Sequence, residues 1–94
     1  MREYELVFII HPDLDETATN DIVERVKGWI TEAGGTIDKV DLWGKRKLAY
    51  PIRKQNEGQY FLFNIHIAPT FVIELERNLR ILEPIMRFLV TSVE

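Results

Sequence analysis

Hydrophobic and polar residues alternate from Glu3 to Ile10. Tyr4, Leu6, Phe8 and Ile10 point one way and Glu5, Val7 and Ile9 the other, the period-2 signature of a strand. Val7 and Ile9 make the second face only partly polar. Pro12, in His11-Pro12-Asp13, cannot donate a ladder hydrogen bond and ends the strand. The period then lengthens. Leu14, Ala18, Ile22, Val26, Ile30 and Ala33 recur at steps of three and four, widened by Val23 and Trp29, which predicts an amphipathic helix of roughly five turns. Asp13 with Glu16 fits a capping-box-like start. Gly34-Gly35 ends the helix, since a glycine past the last turn can take the left-handed cap conformation.

Thr36 to Trp43 predicts a second strand. Its Ile37, Val40 and Leu42 do not keep one parity, and a bulge near Val40 or Gly44 would restore the register. Beyond Gly44 the alternation resumes, with Leu48, Tyr50 and Ile52 on one face and Lys45, Lys47, Ala49, Pro51 and Arg53 on the other. Tyr50 is therefore expected in or near the core. Lys54 to Gly58 is polar, ends in glycine and predicts a hairpin loop of about five residues. Gln59 to Ile67 is the clearest strand, with Phe61, Phe63, Ile65 and Ile67 opposed to Tyr60, Leu62, Asn64 and His66. A second helix opens at Pro69 or Thr70, buries Val72, Leu75, Leu79 and Leu82, and stops at Pro84. Ile85 to Val93 alternates again, Met86, Phe88 and Val90 against Arg87, Leu89 and Thr91.

Strand, helix, strand, strand, helix, strand is the split βαβ order of the α+β ferredoxin-like fold, with both helices on one face of a four-stranded antiparallel sheet. The other face is left open. It carries Val7, Ile9, Tyr60, Leu62 and Leu89, near Lys47, Arg53 and Arg87. Such a surface fits a protein partner, with Tyr60, Leu62 and Leu89 as contacts, or residues that cover one another.

Length and charge sharpen this reading. At 94 residues with 46% apolar content the chain is expected to be one domain, 1–94, with its own core. There is no cysteine, so no disulfide or thiolate chemistry. No apolar run is long enough for a membrane span, and a cytoplasmic location is expected. The chain has 12 Lys and Arg against 15 Asp and Glu, a net charge of -3. Five of those cations and no acid lie between Gly44 and Lys54, which leaves 7 basic against 15 acidic residues elsewhere, or -8. Cationic charge gathered in one place suits a polyanion, RNA first. The alternative is a solvated hairpin whose lysines protect an edge strand.

Catalytic chemistry finds no footing. Gly34-Gly35 lacks a phosphate-cradling pattern, and no Cys/His cluster has metal spacing. His11 and His66 would need to meet at one sheet end to form a site. Asp13, Asp15 and Glu16 are explained by helix capping. An acyl-phosphate or small-ligand domain on this fold would need a phosphate loop and a positioned Arg. We therefore expect no enzyme activity, no cofactor, no metal and no small-molecule substrate. For RNA the useful groups are cations beside flat side chains: Arg2, Lys45, Arg46, Lys47, Arg53 and Lys54, with Trp43 and Tyr60 as aromatic neighbours. Phosphate contact by the hairpin arm is favoured over base stacking on the sheet.

Gly44-Lys45-Arg46-Lys47-Leu48-Ala49-Tyr50-Pro51-Ile52, then Gly58-Gln59-Tyr60-Phe61-Leu62, resembles the bacterial small-subunit ribosomal protein S6 family. Met1-Arg2-Glu3-Tyr4-Glu5, His11-Pro12-Asp13-Leu14 and the spacing of all six elements extend the resemblance over essentially the whole chain. It implies a ferredoxin-like, non-catalytic ribosomal protein that binds the central domain of small-subunit ribosomal RNA as a heterodimer with ribosomal protein S18. The implied RNA side is Arg2 with Lys45, Arg46, Lys47, Arg53 and Lys54. Many family members carry a longer charged tail, whereas this chain stops at Glu94. The Gln59 region and Ala68-Pro69 fit the family spacing only with a one-residue adjustment, which leaves the register of the third strand open.

Overall fold

In a computed structural model describing residues 1–93 the periodicities become β1 (Arg2–Ile10), α1 (Glu16–Glu32), β2 (Thr36–Ile52), β3 (Gln55–Ile67), α2 (Pro69–Ile81) and β4 (Ile85–Ser92). Glu94 lies outside the described residues. The strands form one antiparallel sheet in the order β2-β3-β1-β4. This is the ferredoxin-like arrangement that the sequence predicts, with β1 and β3 central. β3 pairs with β1 without interruption from Arg2↔Ile67 to Ile10↔Gln59.

The core lies between the helices and one sheet face. Tyr4, Leu6, Phe8 and Ile10 of β1 meet Phe61, Phe63, Ile65 and Ile67 of β3 beneath Ile22, Val26 and Ile30 of α1 and Leu75 and Leu79 of α2. Phe8 stacks on Phe61 and meets Phe63 edge-on, both at 5.2 Å between centroids. Each such side chain contributes about 1.5–3 kcal/mol by leaving water. Among the described residues one polar side chain joins this layer: Thr19 is buried and its hydroxyl accepts from Gln59 Nε2 at 3.3 Å. A stripe of apolar residues could not reveal it.

The ends of α1 refine the expected caps. Asp15, not Asp13, is the N-cap, its carboxylate accepting from the Ala18 N–H at 2.8 Å. Asp13 belongs instead to the turn after Pro12, where its N–H donates to His11 Nδ1 at 3.1 Å. At the other end Gly34 has φ 81, its N–H donates to Thr31 and the Gly35 N–H to Ile30, the paired bonds of a Schellman cap. A side chain at Gly35 would press to 2.7 Å from the His66 carbonyl. The second helix begins at Pro69 as one of the two expected starts, and ends at Ile81, three residues before Pro84.

β2 departs most from simple alternation. Its ladder with β3 skips between Ile37 and Lys39 and again between Leu42 and Gly44. The parity fault around Val40 is thus resolved by two bulges, the second using Gly44 at φ 75. The hairpin also turns earlier than expected. Its turn is the two residues Arg53 and Lys54, both left-handed at φ 52 and 66, and Gln55 already pairs with Ile52. Positive φ at both central positions is what a type I′ turn requires, because its twist matches that of the strands. Gly58 therefore sits inside β3 rather than at a loop end.

Candidate nucleic-acid interface

Past the Ile10↔Gln59 pair β1 ends, while β2 and β3 run on as a two-stranded arm. Lys45 faces Gln59, Arg46 faces Gly58 and Lys47 faces Glu57. Between Lys47 and Ile52 the ladder skips, and Leu48 to Pro51 oppose Asn56 alone. Extra residues on one strand bend a ribbon. This bend carries the tip toward β4. There Arg53 donates to the carbonyls of Glu83, at 2.7 Å, and Ile85, at 3.4 Å.

The same bend moves Tyr50 off the core. Tyr50 is 57% exposed, its hydroxyl accepts from Arg87 Nη1, and the Arg87 guanidinium lies 5.7 Å from its ring centre. The expectation that Tyr50 would follow Leu48 and Ile52 inward fails because the skipped residues break the alternation that ties them together.

Lys45, Arg46, Lys47, Arg53 and Lys54 are all exposed. Among the described residues none of the five forms an ion pair; those present join Lys27 to Glu24 and Lys39 to Asp41, while His11 and His66 lie beside acids. Arg53 differs from the other four, since its guanidinium already serves two backbone carbonyls. Arg2 is not brought to the arm. It pairs with Ile67 at the far end of the ladder, eight positions from the Ile10↔Gln59 pair, or about 27 Å at strand rise.

On the open face the register draws two rows. Leu62, Val7 and Leu89 form one, and Tyr60, Ile9 and Arg87 the next. Tyr60, Leu62 and Val7 are half-buried and Leu89 is 63% exposed. Val7, Ile9, Arg87, Phe88 and Leu89 line a shallow groove of about 300 Å³. Ile9 itself is buried, because it lies on Gly58, where a Cβ would come within 2.3 Å of Ile9 Cγ2. Arg46, opposite Gly58, shares the open-face parity. Lys47, opposite Glu57, has the other parity, contrary to the expected grouping.

Trp43, the extra residue at the second bulge, stacks on Tyr60 with centroids 6.1 Å apart and planes 20° apart. Sequence reasoning named both as neighbours of the arm but could not place them in contact. The two histidines do not meet. His11 adjoins the arm end of the sheet, donating its backbone N–H to Pro84 O, while His66 pairs with Asp38 at the Glu3 end. Among the described residues no cluster of His, Asp or Glu could hold a metal, and no helix is long and apolar enough to cross a membrane.

The described residues thus form a ferredoxin-like sheet with a bent cationic arm at one end and a half-apolar open face. The sequence profile of ribosomal protein S6 matches residues 3–92. The chain is 51% identical to small ribosomal subunit protein bS6 of Clostridium novyi, covering 100% of this chain and 99% of that one. It is 45% identical to the bS6 protein of Moorella thermoacetica, covering 100% and 96%. The crystal structure of 30S ribosomal protein S6 from Thermotoga maritima superposes with a TM-score of 0.93 at 40% identity, over 97% of this chain and 86% of that one. A chemotaxis kinase P2 domain, 12% identical with a TM-score of 0.63, shares the fold alone. The chain belongs to the ribosomal protein S6 family. It is thereby a component of the small subunit of the cytoplasmic ribosome, associated with translation and not an enzyme.

Proposed function

We propose that the chain binds the central domain of small-subunit ribosomal RNA through its arm, as one half of a heterodimer with ribosomal protein S18. The observation that carries this reading is the arm itself: Lys45, Arg46, Lys47 and Lys54 are exposed and without a carboxylate partner among the described residues, in a protein otherwise strongly acidic. Cations left unneutralised by their own protein release counterions when they meet phosphates. Arg53 adds charge while holding the tip, and Arg2 would reach a separate phosphate at the other sheet end. The acidic remainder opposes RNA at low salt, so the isolated chain binds weakly and the partner completes the surface. Tyr60, Leu62 and Leu89 form the surface offered to S18.

A salt-dependent titration with a central-domain RNA fragment, with and without S18, tests this. Changing Lys45, Arg46 and Lys47 together to Ala lowers affinity and flattens the slope of log K against log salt by about 0.7 to 0.9 for each phosphate no longer neutralised. Equal affinity and slope in the variant would remove the arm from the interface. Absence of RNA binding in every condition would favour the second reading, a protein–protein module on the open face, which Leu89 at 63% exposure supports.

A further inference from the structure

We propose that Trp43 is the platform on which one unpaired base of the bound RNA stacks; this rests on the arm binding RNA. The indole is built into place. The skip between Leu42 and Gly44 leaves Trp43 without a strand partner, and Gly44, at φ 75, supplies the left-handed backbone of the bulge. Bulges of this kind re-aim a side chain. Here the indole lies nearly parallel to the Tyr60 ring, 6.1 Å away. Tyr60 is half-buried in the sheet, so it backs one face of Trp43. Trp43 remains 43% exposed, which leaves the indole open to a ligand.

The surroundings select the ligand class. Arg46 Nε donates to the Trp43 backbone carbonyl at 3.2 Å, which ties a guanidinium to the same bulge that carries the indole. Lys45 follows Gly44 directly and is exposed. A flat apolar plane with cations within three residues matches a nucleotide, whose base stacks while its phosphates meet the cations. A paired base would already be stacked in its duplex, and backbone contact with a duplex needs no indole. The other aromatic residues near the arm are committed: Tyr50 to Arg87, Phe61 and Phe63 to the core.

The test uses the complex of this chain with S18 and the central-domain RNA fragment. Trp43→Leu is expected to lower affinity on the order of tenfold, with the salt slope unchanged, because a stacking contact releases no counterion. Trp43→Phe is expected to lose less and guards against a folding defect. Replacing nucleotides one at a time by abasic residues should reproduce the loss at one position and cost nothing further in Trp43→Leu. With Trp29→Phe leaving Trp43 as the sole tryptophan of this chain, its fluorescence should fall on RNA addition. Wild-type affinity in Trp43→Leu, while the Lys45/Arg46/Lys47 variant loses binding, would overturn the stacking site and leave the arm's role intact. Weakened association of Trp43→Leu with S18 in the absence of RNA would overturn it in favour of a protein contact. Failure of the wild-type complex to bind RNA would overturn both readings together.

Discussion

Arg53 Nη1 donates to the Glu83 carbonyl at 2.7 Å, joining the hairpin tip to the turn before β4 across 30 residues of sequence. A side chain selected from sequence for its charge thus also serves as a strap. Replacing it by Asn keeps a residue that tolerates positive φ and removes the guanidinium. Global stability should fall by about 1 kcal/mol, and amide exchange from Lys47 to Gln55 should quicken. Unchanged exchange in the arm would show that the bend alone holds it.

Gly58 makes room for Ile9. A methyl group at Gly58 would lie 2.3 Å from Ile9 Cγ2, which branches from a stiff Cβ and cannot swing aside cheaply. Gly58→Ala should cost on the order of 1–3 kcal/mol in urea unfolding. Ile9→Ala removes the clashing methyl, so the double variant should lose less than the two single losses combined. Strict additivity would mean that the strands accommodate the methyl by moving apart.

Asp15 and Asp13 separate cleanly. Asp15→Ala removes the acceptor of the Ala18 N–H and should cost about 1 kcal/mol. Asp13→Ala leaves the helix start intact and should stay within about 0.5 kcal/mol. Equal losses by thermal unfolding would contradict the assigned cap.

Leu89, 63% exposed beside Val7, can be changed to Glu with a stability change within about 0.5 kcal/mol. Association with S18 should nonetheless fall at least about tenfold, since a carboxylate in an apolar contact is left unpaired. An unaltered S18 titration would move that contact off the open face.

The elements and their buried faces were legible because each depends on neighbours two to four positions away. Tyr4 to Ile10 and Phe61 to Ile67 reveal their inner faces by strict alternation, and Ile22, Val26 and Ile30 by helical spacing. The basic arm was legible from charge. Its turn was not, because Arg53-Lys54 carries neither Gly nor Asn to mark positive φ. Gly58 looked like the turn residue, yet its absent side chain accommodates Ile9 from another strand.

The sequence by itself determined the order of elements, the inward faces, the ferredoxin-like class, the family and the gathering of five cations in one arm, since all of these are written in local periodicity, composition and motif. Only the tertiary structure decided where those groups stand. It separated Arg2 from the arm by the length of a strand, turned Tyr50 outward to Arg87, engaged Arg53 with Glu83 and Ile85, and laid Trp43 on Tyr60. Each outcome depends on an extra residue in one strand or a contact tens of residues away, and alternation cannot carry parity across a skipped pair.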